Sequence, residues 1–231
     1  MAYKPMEQPR GGPILLCYIT ARKQFPGDEA EQRRRLLTKV AECAAAGVDY
    51  IQLREKDLPV RALEQLAGQA VAAIPPGSKT RLLVNSRIDV ALACGAHGVH
   101  LPADNLAASE ARAIWMRASR VVPVIGVSTH SAAEVLSAEA HGADFVLFGP
   151  VFEKSGTLNP AGLEQLKAAC QRPPIAGSPM PMLALGGITL GNAQQCLQAG
   201  AAGIAAIRLF QENNVAECVQ RLRGISVAGA R

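Results

Sequence analysis

Apolar residues in this chain come in short unbroken runs rather than in alternation, and polar, helix-forming stretches separate them. Residues 14–20 (ILLCYIT), 49–54 (DYIQLR), 81–85 (RLLVN), 98–101 (GVHL), 123–127 (PVIGV), 144–148 (DFVLF), 182–185 (MLAL) and 203–207 (GIAAI) each read as a strand covered on both faces, as a parallel sheet requires. Helices are predicted between them over 29–46, 60–74, 88–94, 109–118, 132–141, 163–169 and 193–198, with a last one over 215–222. The stretches AGVDYIQL, CGAHGVHL, HGADFVLF and AGAAGIAA share one form: a helix-ending glycine, a small linker and an apolar strand. Their glycines, Gly47, Gly95, Gly142 and Gly200, recur at spacings of 48, 47 and 58, and the longest gap carries the proline-rich loop RPPIAGSPMP. Two βα units repeated four times close a barrel more simply than they build an open flavodoxin-like or Rossmann sheet. The fold class expected is α/β, a single-domain (β/α)8 TIM barrel over residues 13–231 behind a loose polar tail, 1–12.

Composition narrows the partners. Aromatics are only 4% of the 231 residues, so the core is aliphatic, and the net charge of +5 favours acidic ligands. The one tight basic run, Arg33-Arg34-Arg35, lies in a predicted helix beside Glu29 and Glu31 and reads as a solvated face, so no nucleic-acid partner is expected. The six cysteines are spread singly, with no C-x-x-C, as small buried hydrophobes of a reducing compartment. The run at 14–19 is too short for a signal or a membrane span, which makes a soluble cytoplasmic protein without a membrane partner the expectation. A homodimer is expected only by association with other small barrels.

In such a barrel the chemistry sits where strands end. The glycine pair Gly186-Gly187 follows strand seven. It reads either as a close approach to a phosphate, with a helix N-terminus beyond, or as a glycine-rich turn with no ligand. Arg54 and Lys56 after strand two suit a carboxylate or phosphate, although an Arg–Glu pair tying the loop explains Arg54 equally well. His100 reads as a hydrogen-bonded core or lumen residue. His130, in STHS at a helix start with Thr129 or Ser131 as cap, faces the mouth, where an imidazole shuttles protons; His97 and His141 lie at the opposite end.

As a set, QLREKD (52–57), VNSRIDVAL (84–92), GVHLPAD (98–104), GVSTHSAAE (126–134), GADFVLFGPVF (142–152) and LALGGIT (183–189) resemble the thiamine phosphate synthase/TenI superfamily, over nearly the whole chain. The resemblance implies a barrel acting on thiazole phosphate. Its synthase branch couples a hydroxymethylpyrimidine diphosphate to that ring with Mg²⁺; its TenI-like branch is a metal-free thiazole tautomerase. The synthase pattern carries metal-binding aspartates after strands three and four. Ser86 and Asn105 stand at those positions here, with Asp104 one residue away as a displaced candidate, and the altered diphosphate loop reads Glu153-Lys154-Ser155-Gly156-Thr157. The leading expectation is therefore the tautomerase, with no cofactor and His130 as general acid/base. Gln52, Arg54, Lys56, Asn85, Ser128 and Lys154 bind substrate, and Gly186, Gly187, Ile207 and Arg208 hold the phosphate. The alternatives are the Mg²⁺-dependent synthase, whose QLREK stretch is also present, and a non-catalytic thiazole-phosphate-binding protein.

Overall fold

The computed structural model describes residues 12–104, 106–153, 160–175 and 179–226. Eight parallel strands form a closed barrel in chain order: β1 (Leu15–Ile19), β2 (Tyr50–Leu53), β3 (Arg81–Asn85), β4 (Gly98–Leu101), β5 (Val124–Thr129), β6 (Phe145–Phe148), β7 (Met182–Leu185) and β8 (Gly203–Ala206). Helices α1 (Glu29–Ala45), α2 (Val60–Ala73), α3 (Ile88–Ala93), α4 (Ala108–Ala118), α5 (Ala132–Ala140), α6 (Gly162–Cys170) and α7 (Ala193–Gln198) connect them, and α8 (Arg208–Gln211) and α9 (Val215–Arg223) follow β8. The barrel is thus the fold the pattern predicts. Two short elements lie outside that expectation: α8, and a 3-10 turn at Arg22–Gln24 in the first loop. Strand five also runs further than expected, because Ser128 and Thr129 still pair with Leu147 and Phe148 of β6. The expected tail, 1–12, lies outside the described residues except for Gly12.

Alternate strand residues divide the interior in two. Leu15, Cys17, Ile19, Tyr50, Leu83, Phe145, Leu147, Leu183 and Ala205 form a cluster made of strand residues alone, the lumen, with Tyr50 and Phe145 stacked at 4.4 Å. The residues between them, such as Leu16, Ile51, Val84, Val146 and Ile204, join the helices in the larger outer cluster. This parity decides which mouth residues face the lumen. All six cysteines are unpaired thiols, and among the described residues no helix is long and apolar enough to cross a membrane.

The fourfold repeat has a physical basis. Gly47, Gly95, Gly142 and Gly200 all take positive φ, between +69° and +108°. Each ends its helix the same way. The glycine N–H reaches three residues back, and the next N–H reaches five back, as in Val48 N to Cys43 O, Ala96 N to Ala91 O, Ala143 N to Ala138 O and Ala201 N to Cys196 O, at 2.9–3.1 Å. Two residues past the glycine, Asp49, His97 and Asp144 each accept the N–H of a neighbouring odd-numbered strand: Leu16 at 2.8 Å, Leu82 at 3.1 Å and Ile125 at 2.7 Å. The fourth repeat has Ala202 there and lacks this bond.

At the other rim a buried arginine ties the first two loops. Arg22 is 3% exposed and bonds Asp57 through both Nη atoms at 2.7 Å, Glu29 at 2.9 and 3.0 Å, and Glu55 Oε2 at 3.1 Å. Glu55, 5% exposed, also accepts Thr20 Oγ1 at 2.6 Å. Thr20 Oγ1 in turn accepts the Arg54 N–H at 2.9 Å.

Two outcomes follow for stability. A Cβ at Gly142 would meet nothing within 4 Å, so Gly142→Ala should cost only the left-handed backbone penalty, about 1–2 kcal/mol in urea unfolding, with the fold kept. Arg22→Met strands the Glu55 carboxylate and should cost about 3 kcal/mol or more. The Arg22 fork holds the Asp57 carboxyl well below the usual carboxylate range. Because its folded value lies below the unfolded one, that stabilisation is full above about pH 4 and drains as pH falls through the folded value. The acid-side loss attributable to Asp57 should vanish in Arg22→Met.

Candidate active site

Lumen parity carried to the ends of the strands brings together three of the expected site residues and the histidine expected in the lumen. Gln52 on β2, Asn85 on β3, His100 on β4 and Ser128 on β5 occupy lumen positions, linked by the pairings Asn85 with His100 and His100 with Gly126. Gln52 Nε2 donates to Asn85 Oδ1 at 2.9 Å, and Asn85 Nδ2 donates to Ser86 Oγ at 3.0 Å. His100 Nε2 and Ser128 Oγ lie 2.9 Å apart. Four neighbouring strands thus present a neutral hydrogen-bonding arc, while Leu147, Leu185, Ile207 and Ile19 line the lumen on the other four. An amphipathic ring fits between a polar and an apolar wall. His100 is 1% exposed, and burial first, then the Arg54 guanidinium, push its pKa down to about 3, so it stays neutral.

The Arg54 side chain is exposed at the same rim. Glu55 is engaged by Arg22 instead, so the loop-tying ion pair belongs to a residue that a single sequence gave no reason to choose: Arg22 sits in a polar loop and looks solvated. Among the described residues no carboxylate pairs with Arg54. Lys56 is exposed beside it, and Lys154 lies outside the described residues.

The glycine pair is approached by the chain itself. Gly186 and Gly187 take φ of +98° and +63°, and what approaches them is the loop after β6. A Cβ would come within 2.6 Å of Pro150 Cα at Gly186 and 2.7 Å of Glu153 O at Gly187. Val151 N donates to Leu185 O at 2.8 Å and Phe152 N to Gly186 O at 3.1 Å. No helix begins directly beyond the pair. Asn192 first closes a turn, accepting Thr189 N at 2.8 Å and donating to Gly187 O at 3.0 Å, and α7 starts at Ala193. Just past the adjacent strand β8, Ile207 is half-buried against the lumen and Arg208 is the exposed first residue of α8. Glycine pair, Ile207 and Arg208 therefore share one side of the mouth.

His130 follows Ser128 by two residues but stands in solvent, its side chain 58% exposed. Glu134 Oε2 accepts its backbone N–H at 2.8 Å and lies 3.1 Å from Nδ1. Of the two candidate caps it is Ser131 that serves, its Oγ accepting Glu134 N at 3.2 Å, while Thr129 belongs to β5. Glu134 was readable from its spacing, four residues after the histidine and three after the serine.

For a divalent ion the mouth offers little. Ser86, at φ +61°, sits in a conformation that asparagine and aspartate favour, yet supplies a hydroxyl already used by Asn85. Asp104 is an exposed turn carboxylate; Asn105 lies outside the described residues, and among the described ones no group of three acidic, histidine or cysteine side chains is placed to hold a metal ion.

Known proteins agree with the geometry. A family model described as thiamine monophosphate synthase matches residues 17–210. A putative thiamine-phosphate synthase of Geobacter sulfurreducens is 42% identical over 195 residues, 83% of this chain and 84% of the relative. A thiamine-phosphate synthase of Methanoculleus marisnigri is 40% identical over 208 residues, 85% and 90% of the two chains. The solved thiamine phosphate pyrophosphorylase of Pyrococcus furiosus superposes with a TM-score of 0.74 at 29% identity, covering 94% of this chain and 98% of its own. These similarities favour the synthase alternative over the tautomerase that the altered metal positions had suggested. With this barrel, this mouth and similarity across nearly its whole length, the chain belongs to the thiamine monophosphate synthase family.

Proposed function

We propose that this chain couples a hydroxymethylpyrimidine diphosphate to a thiazole phosphate, forming thiamine phosphate. The observation that carries the reading is the divided mouth: a neutral hydrogen-bonding arc on β2 to β5 facing an apolar wall, with cations at both edges. The names of the relatives support it. In the reaction the thiazole nitrogen gives its lone pair to the pyrimidine methylene carbon, and the carbon–oxygen bond to diphosphate breaks with its electrons. Gln52, Asn85 and Ser128 orient the heterocycles by their edges. Arg54 and Lys56 stand at the rim to meet the developing charge on the diphosphate, and Lys154, on the sequence pattern alone, is a third candidate for it. The side of the mouth with Gly186, Gly187, Ile207 and Arg208 takes the thiazole phosphate, Arg208 adding a full charge beside the first N–H groups of α8.

Magnesium usually takes one or two carboxylates and completes its shell with substrate phosphates and water. Asp104 alone fits the lower end of that range, as an ion held chiefly by the diphosphate, and when bound such an ion neutralises the leaving group. Purified protein given both substrates and Mg²⁺ should form thiamine phosphate, chelator should stop it, and Asp104→Ala should lower the rate at least about tenfold. No product under these conditions sinks the coupling reading.

A second reading, metal-free thiazole tautomerisation, is favoured by one observation: Ser86, not a carboxylate, stands at the synthase metal position, while Glu134 holds His130 by two contacts. There Arg54 and Lys56 bind the carboxylate of the carboxythiazole phosphate, and His130 moves the proton that makes the ring aromatic. That reading expects aromatisation without metal and its loss by about 100-fold in His130→Ala. Full tautomerase activity in His130→Ala would remove the imidazole from the mechanism.

A further inference from the structure

Two buried side-chain atoms among the described residues lack a hydrogen-bond partner, Arg172 Nε and His100 Nδ1. Arg172 follows α6 at the far rim, where its other nitrogens reach Ala169 O and Glu139. His100 stands in the mouth, and its missing bond fixes where its proton lies. A neutral imidazole carries a single N–H, on one nitrogen or the other. On Nδ1 it would be a buried donor with nothing to bond, whereas an unpaired lone pair there is the milder defect. Space forbids a rescuing water: a Cβ built on Gly126 would lie 2.6 Å from Nδ1 and 2.5 Å from Phe145 Cζ, so the nitrogen is pressed against the Gly126 backbone. The proton therefore sits on Nε2, which reaches Ser128 Oγ at 2.9 Å. One lone pair of that oxygen is then used, and among the described residues no acceptor takes the hydroxyl's own proton.

We propose that His100 is a positioning residue: it donates Nε2–H to Ser128 and so presents the Ser128 hydroxyl as a donor to the mouth, selecting a ligand ring that carries an acceptor atom there. The location of the proton follows from this chain alone. The ligand rests on the coupling reading, in which the pyrimidine's ring nitrogens are such acceptors.

Long-range proton–nitrogen spectra of the full chain, labelled at histidine, should show His100 neutral and protonated on Nε2 from about pH 5 to about pH 8. Protonation on Nδ1 overturns the proposal, and it would do so whether or not the protein makes thiamine phosphate. Calorimetry with hydroxymethylpyrimidine diphosphate reads the second half. His100→Leu should weaken binding about tenfold and His100→Gln, which keeps a donor, should restore most of it. In a Ser128→Ala background His100→Leu should have no further effect. An equal loss in both backgrounds means that His100 merely packs, and refutes the role. Gly126→Ala, which displaces the ring without changing it, should reproduce the loss while circular dichroism stays native; unchanged affinity in that variant also refutes it.

Discussion

Closing eight parallel strands on themselves turns every second side chain into a space that water cannot fill, and the rest of the molecule answers to that constraint. The lower lumen meets it with aliphatic side chains and one stacked aromatic pair. Near the mouth the same parity delivers Gln52 and His100, which are buried, and Asn85 and Ser128, which are half-buried, and each of the four bonds another side chain. The polar arc is thus a packing solution first. Its capacity to recognise a ring comes from the hydrogen-bonding valences left over once the side chains have satisfied one another.

Charge at the mouth is arranged by subtraction. Three carboxylates, Glu29, Glu55 and Asp57, converge on one buried arginine, and of the exposed cations nearby only Lys23 shares one of them, Asp57, among the described residues. Arg54 follows directly on β2, its N–H anchored through Thr20 to the same cluster while no carboxylate among the described residues pairs with its guanidinium. The cluster ties the loop down and leaves two exposed cations, Arg54 and Lys56, at its tip.

The barrel was legible because its signal is redundant. Unbroken apolar runs, helix-ending glycines at regular spacing and the absence of strand alternation all point to the same parallel closure, and β3, β4, β7 and α7 fall where the pattern puts them. The site was legible as positions rather than as contacts. Gln52, Asn85 and Ser128 could be placed at strand ends, but their mutual bonds depend on barrel shear, which pairs residues far apart in the chain. Arg22 was invisible for the same reason, since its three partners come from α1 and the loop after β2. The loop lying against the glycine pair could not be read, because a glycine needed for close approach looks the same whether the approaching group is a ligand or the chain's own loop. The balance between the two chemistries turned on Ser86, Asn105 and the altered loop at 153–157, a few positions set against a similarity spread over nearly two hundred residues.

The four repeated helix stops and the three acceptors beyond them all lie on the rim away from the mouth. Closure is written at one end of the cylinder and recognition at the other. A substitution such as serine at position 86 therefore acts on a surface the barrel does not need for its own assembly. The mouth can therefore be re-lined residue by residue while the skeleton stays still, and a shared skeleton by itself says little about the chemistry done at its open end.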